Sequence, residues 1–290
     1  MLTTYKTFAR IQIDDGGDAG YLAATTGCLD TIAGIPDGGA LLRAICGLSS
    51  MVTIKVTANG NSCTRGGDET CPPLTRALRD KNAATFSKEL TAAVTNAKQK
   101  GIPIEHFARQ LSMGMTPVTY RSQDNVVRPG QTPATAGAAP QNIAYAQGMA
   151  IGTTIQTLKD LMSGACPVGK LQNDWLFHLP RLFRSYMTPG RGAGSTVNFN
   201  STKTFHCVDD LAMYQRPPAV GLAHELIHAL HNSQGINLAL VVQNNQKLEE
   251  VVTTGMPPYN FEGISDNKMR TQWPTNLELR ENYGKGKAKP

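Results

Sequence analysis

The spacing of apolar positions sorts this chain into short strands and longer helices. Residues 51–56 alternate, with Val52, Ile54 and Val56 on one side, and residues 196–199 form a second short strand ahead of a turn at Asn200 and Ser201. Residues 8–13 read as a third strand within a polar opening stretch that ends in the Gly-rich DDGGDAG turn, so residues 1–20 are expected to be a flexible arm. Helical spacing covers residues 21–32 and 39–48, with a turn at residues 36–38 between them. Residues 58–73 are polar and loop-like, and residues 74–100 hold good helix formers with few breakers, which predicts a charged helix there. Residues 121–141, rich in Pro, Gly, Ala and Thr, predict a long irregular connection before helical spacing resumes over residues 143–162. Trp175, Leu176, Phe177, Leu179, Leu182 and Phe183 then form an apolar patch in which Pro180 argues against one unbroken helix. Short strands among longer helices specify an α+β chain, expected as one compact domain over residues 21–290.

Residues 217–235, PPAVGLAHELIHALHNSQG, carry the sharpest signal. Pro217 and Pro218 suit a helix start, Leu222, Leu226, Ile227 and Leu230 supply apolar contacts, and Gly235 suits the exit. On that helix His224 and His228 stand four apart, so both imidazoles lie on one side and can reach one ion. Glu225 adjoins His224 without sharing its direction, which suits it to hold a water in an H-E-x-x-H site. The competing description is a surface helix that happens to carry this spacing. Against it stands the burial problem of an apolar helix with three polar groups that need partners or a metal.

Two histidines do not complete a metal site. The longer H-E-x-x-H-x-x-G-x-x-H pattern is not met, because His231 and Gln234 stand where the Gly and the last His belong. QKLEEVVTTG, residues 246–255, offers Glu249 or Glu250 from a second helix, with the other acid free to orient a ligating His; spacing does not choose between them. Arg280 and Tyr283, three apart in LELRENY, suit an oxyanion if that segment folds over the cleft.

Composition removes other classes. Apolar residues at 40% and charged residues at 17% describe an ordinary soluble globular chain, and no apolar run approaches membrane-spanning length. A formal charge of +6 over 290 residues is too mild for a nucleic-acid partner, and no nucleic-acid-binding motif accompanies it. Six cysteines lack tight metal spacing; Cys63 and Cys71 bracket a polar loop and could pair under oxidising conditions, but the start has no apolar signal core and free thiols are expected.

HELIHALH at 224–231, LEEVVTTG at 248–255 and GISDNKMRTQWPTNLELRENY at 263–283 together resemble the NleD-like zinc metallopeptidase effectors of type III secretion systems. The first two blocks and the terminal R-x-x-Y also resemble the clostridial neurotoxin light-chain peptidases, and GSTVNFN at 194–200 resembles the strand before the catalytic helix in NleD-like proteins. The resemblance implies a zincin-like fold with a small mixed sheet, Zn2+ held by His224, His228 and Glu250, and Glu225 as general base. It further implies that Glu249 orients the site and that Arg280 and Tyr283 stabilise the transition state. It implies a secreted endopeptidase, with residues 1–20 as secretion region and a secretion chaperone as partner. Delivery would be into the host cytoplasm, and the substrate would be a host signalling protein such as a mitogen-activated protein kinase. Two other readings of the same residues are a zinc hydrolase of a small amide or other non-protein substrate, and a noncatalytic binding protein whose metal fastens its helices.

Overall fold

The computed structural model describes residues 1–64, 67–119, 140–171, 173–204, 216–242, 246–256, 259, 263–275 and 277–280. The fold is α+β: ten α-helices and a small mixed five-stranded sheet among the described residues. The chain divides into two compact units, Met1–Pro72 with Pro189–Pro290, and Pro73–Thr188.

The first unit holds the sheet, in the order β1 (Leu2–Tyr5), β2 (Phe8–Asp14), β3 (Val52–Val56), β5 (Ser195–Phe199) and β4 (Ser62–Thr64). β1 pairs antiparallel with β2, β2 with β3 and β3 with β5 are parallel, and β4 closes the far edge antiparallel to β5. The stretch expected as an arm thus contains a two-stranded hairpin. The short strand expected over residues 196–199 is β5, paired on both sides between β3 and β4, so the sheet's edge on this side is β4. Ser62, Cys63 and Thr64 escape a pattern reading because three half-polar residues show no apolar alternation.

Ile11, Ile13, Val52, Ile54, Val197 and Phe199 are buried and project from one face of this sheet. That face joins a single core with residues of α1 (Ala19–Ala33), α2 (Pro36–Cys46) and α8 (Pro218–Gln234). Asp18 caps α1 by accepting from the Tyr21 backbone N–H, and Pro36 opens α2 at the position where its missing N–H costs nothing. In α8 every residue from Ala219 to Asn232 is buried. It is therefore a central helix and not the surface helix of the competing description; Ala219, Gly221, Ala223 and Ala229 let neighbours approach it closely. Two short elements follow it, the β6–β7 hairpin (Val241–Val242 with Gln246–Lys247) and α9 (Leu248–Thr254), and then α10 (Asp266–Thr271).

The second unit is helical: α3 (Pro73–Arg79), α4 (Ala83–Gln99), α5 (Ile104–Thr119), α6 (Pro140–Ser163) and α7 (Asn173–Phe183). The single helix expected over residues 74–100 is broken, because Lys81 takes φ 54° and Asn82 caps a new helix by accepting from Thr85 N–H. α7 runs through Pro180, contrary to expectation. Leu179 and Phe183 are fully buried there, and Phe183 stacks on Phe107 at 4.3 Å, packing that offsets the lost backbone bond. Of the irregular connection expected over residues 121–141, residues 121–139 lie outside the described residues, and residues 140–141 open α6.

The exit of α8 fixes where the metal-motif helix stops. Gly235 has φ 70°, and its carbonyl accepts from Gly190 N–H at 2.7 Å. A Cβ there would stand 2.1 Å from the Gly190 carbonyl oxygen, so Gly235→Ala combines left-handed strain with a backbone collision. We expect it to lower unfolding free energy by about 2–4 kcal/mol. Gly101→Ala, at φ 77° with open space around it, should cost about 1 kcal/mol. Chemical denaturation of the two variants checks the contrast.

Candidate metal centre

α8 supplies two imidazoles to one point and α9 meets them there. His224 Nε2 and His228 Nε2 lie 3.2 and 3.1 Å from the same Glu250 oxygen, Oε2. One donor atom from each of the three residues falls within 4.8 Å of the others. Ligand bonds of about 2.0–2.1 Å in a tetrahedron separate neighbouring donors by about 3.3–3.4 Å, so the set fits a small divalent ion. No other described His, Cys, Asp or Glu joins the group.

The other ring nitrogens are held from behind. His224 Nδ1 faces Asp266 Oδ2 at 3.4 Å. Asp266 accepts from Arg270 Nε at 2.9 Å and from Arg280 Nη1 at 3.3 Å, and all three are fully buried. His228 Nδ1 lies 3.1 Å from the Thr253 hydroxyl, which donates to Glu249 Oε1 at 3.3 Å. This chain accepts a hydrogen bond from Nδ1 and turns Nε2 toward the ligand point. Glu249 accepts from His231 Nδ1 at 2.6 Å and from Leu238 N–H at 2.7 Å. Of the two acids in LEEVV, α9 therefore directs Glu250 to the ligand point and Glu249 to the support.

Electrostatics follow from this crowding. Burial alone would raise Glu249 and Glu250, but the facing imidazoles outweigh it and hold both carboxyls well below the ordinary 4.5. Burial would likewise lower His228, and Glu250 with Glu249 reverses this, holding it well above 6.5. Asp266 is kept far below the carboxylate range against its burial by His224, Arg270 and Arg280.

Glu225 is buried at 7% exposure and lines a cavity of about 470 Å³ together with His228, Glu250 and the β4 residues Ser62 and Cys63. Arg280 lies behind His224 on Asp266, its backbone N–H bonded to Asn267 Oδ1 at 2.8 Å. Tyr283 lies outside the described residues. Cys63 is a free thiol, and burial, with Glu225 next in effect, pushes it up. Asp266, Thr253 and His231 were not assigned roles from sequence. Thr253 follows Glu249 by four and His231 follows His228 by three, helical spacings that carry the signal.

No family model matches the chain, and comparison with curated proteins and with solved structures finds no significant match. No described helix is long and apolar enough to cross a membrane.

Two outcomes follow. Asp266→Asn removes the charge behind His224, and Thr253→Val breaks the chain behind His228; each should weaken the binding of a divalent probe ion about 10–100-fold in a competition titration. For the metal-free chain, the raised His228 contributes stability in full below pH 6.5 and loses it as pH rises through its folded value. The depressed Glu249 and Glu250 contribute in full above pH 4.5 and lose it as pH falls through theirs. The melting temperature without metal should accordingly peak between pH 4.5 and 6.5 and fall on both sides.

Proposed function

We propose that this protein is a zinc-dependent endopeptidase with a zincin-like catalytic unit. The observation that carries the reading is the convergence of both His Nε2 atoms on Glu250 with their far nitrogens held in place. Three ligands without a described fourth suit a site that keeps a position open for chemistry, whereas a purely structural site closes it.

His224, His228 and Glu250 would hold a zinc ion, which would supply Lewis acidity at the reacting carbonyl and water. Glu225, which lines the same cavity, accepts the proton of the attacking water and passes it to the departing amine. Asp266 and Thr253 keep the two imidazoles oriented, so the base and the ligand point hold their relation. β4 supports a polypeptide substrate over a small amide. It is an edge strand of the sheet, Ser62 and Cys63 line the cavity, and an extended peptide can pair with its outer side.

The NleD-like resemblance supplies the rest of the reading. It makes the protein a secreted effector that acts in the host cytoplasm on a signalling protein such as a mitogen-activated protein kinase. It also gives Arg280 and Tyr283 to the developing oxyanion. Glu225→Gln should retain zinc while the rate of peptide cleavage falls about 10²–10⁴-fold, measured by mapping new N-termini in a host lysate. Unchanged turnover by that variant would remove the proposed role of Glu225, and cleavage of no protein by the zinc-loaded native chain would remove the endopeptidase reading.

A further inference from the structure

One side chain joins two walls of the cavity beside the ligand point. Ser62 and Cys63 of β4 line one side, and Leu238, Ala239 and Leu240, in the stretch between α8 and β6, line another. Asn232, in the last turn of α8 and four residues after His228, is 1% exposed and lines the same cavity. Its Nδ2 donates to Ser195 Oγ at 3.0 Å and to Cys63 Sγ at 3.6 Å. Its Oδ1 accepts from Asn237 Nδ2 at 2.8 Å, and Asn237 leads directly into the second wall. Both amide hydrogens and the amide oxygen are thus committed to side chains of three separate segments.

Packing does not require such a residue. Asn is a poor helix former, and burying an amide costs free energy that only matched hydrogen bonds recover. A leucine would fill the same position of an apolar helix without that condition. A fully satisfied buried network instead specifies one arrangement of the groups it joins.

The groups joined here bear on the substrate. Ser195 N–H donates to Met51 O, and Phe199 O accepts from Thr57 N–H, so residues 195, 197 and 199 turn their backbone groups toward the β3 side. Residues 196 and 198 turn theirs toward β4, where Thr64 and Ser62 are their register partners. Cys63 lies opposite Val197 and therefore directs its own N–H and C=O to the open edge. The residue whose sulfur Asn232 holds is the one whose backbone an extended peptide would meet. On the other wall, Leu238 N–H donates to Glu249 Oε2 at 2.7 Å and Asn237 N–H to Thr70 O at 3.1 Å, and the Asn237 amide adds a side-chain tie to α8.

We propose that Asn232 is a positioning residue for the substrate: its NH2 group holds the β4 wall, its oxygen holds the wall at residues 237–240, and the two are kept at one spacing beside the ligand point. The role toward a peptide rests on the endopeptidase reading; the joining of the two walls does not.

The test compares Asn232→Ala with the native full-length chain. The backbone carbonyl at residue 232, which accepts from Ala193 N–H at 3.1 Å, is kept in that variant, so α8 retains a tie to the segment that enters β5. In hydrogen exchange followed by NMR, the amides of Ser62 and Thr64 on one wall and of Asn237 and Leu238 on the other should exchange about tenfold faster, the effect of losing one or two buried hydrogen bonds, while those of Ile11 and Ile13 in β2 do not change. Faster exchange on one wall only, or on neither, overturns the coupling. Asn237→Ala cuts a single tie and keeps the coupling testable if Asn232→Ala does not fold: it should speed exchange at residues 237 and 238 and not at 62 and 64, and unchanged exchange at 237 and 238 overturns the coupling as well. Zinc affinity of Asn232→Ala should change by less than about threefold, against about 10–100-fold for a residue that orients a ligand; a loss in that larger range would make Asn232 a support of the metal and overturn the proposal. On a cleaved decapeptide selected from a randomised library, kcat/KM should fall about 10–100-fold and mainly through KM, whereas on blocked dipeptide amides too short to reach both walls it should change less than about threefold. Equal losses at both lengths, or a loss in kcat alone, would remove the substrate role. Cleavage of no peptide by the native zinc-loaded chain would defeat the endopeptidase reading and the substrate role with it, while the exchange rates still decide the coupling.

Discussion

Burial of α8 is the constraint on which the rest of the site depends. A helix enclosed from Ala219 to Asn232 carries three imidazoles and a carboxylate into a region that hydrates none of them well. The chain answers with a layer of partners from behind: Asp266 for His224, Thr253 and Glu249 for His228, and Glu249 again for His231. Those partners occupy the Nδ1 side, so the Nε2 side of His224 and His228 is turned toward Glu250. Orientation of the ligand atoms is thus a by-product of satisfying the far side of each ring.

The support is itself layered. Asp266 is held by two buried arginines, and Arg280 comes from a late segment that is tied to α10 in both directions, through Asn267 Oδ1 and Nδ2. Arg270 also donates to the Glu278 carbonyl, so one guanidinium fastens the segment and braces the acid behind His224. A residue far from the ligand point in sequence can therefore act on it through two contacts. This arrangement gives Arg280 a positioning role in the structure, beside the transition-state role that the resemblance assigns to it.

Legibility in the sequence followed the physics of each element. α8 was readable because its caps, its apolar spacing and the four-residue separation of two histidines all agree, and β3 and β5 because buried strands alternate. β1 was hidden, since Tyr5 is its only buried position, and β4 was hidden because three polar or small residues leave no pattern. The choice between Glu249 and Glu250 turns on how α9 is rotated against α8, which adjacent acids in a sequence do not reveal.

The sheet has a further consequence for the order in which the molecule is made. Both partners of β5, the strands β3 and β4, precede the helical unit Pro73–Thr188 in the chain, whereas β5 and α8 follow it. Closing those pairings requires bridging a very long loop, or the prior collapse of that loop into its own helices. A nascent chain still short of residue 195 lacks both the strand that seats β4 and the histidines. The three-residue ligand set can thereby assemble only on chains that have already passed through synthesis of the entire inserted unit.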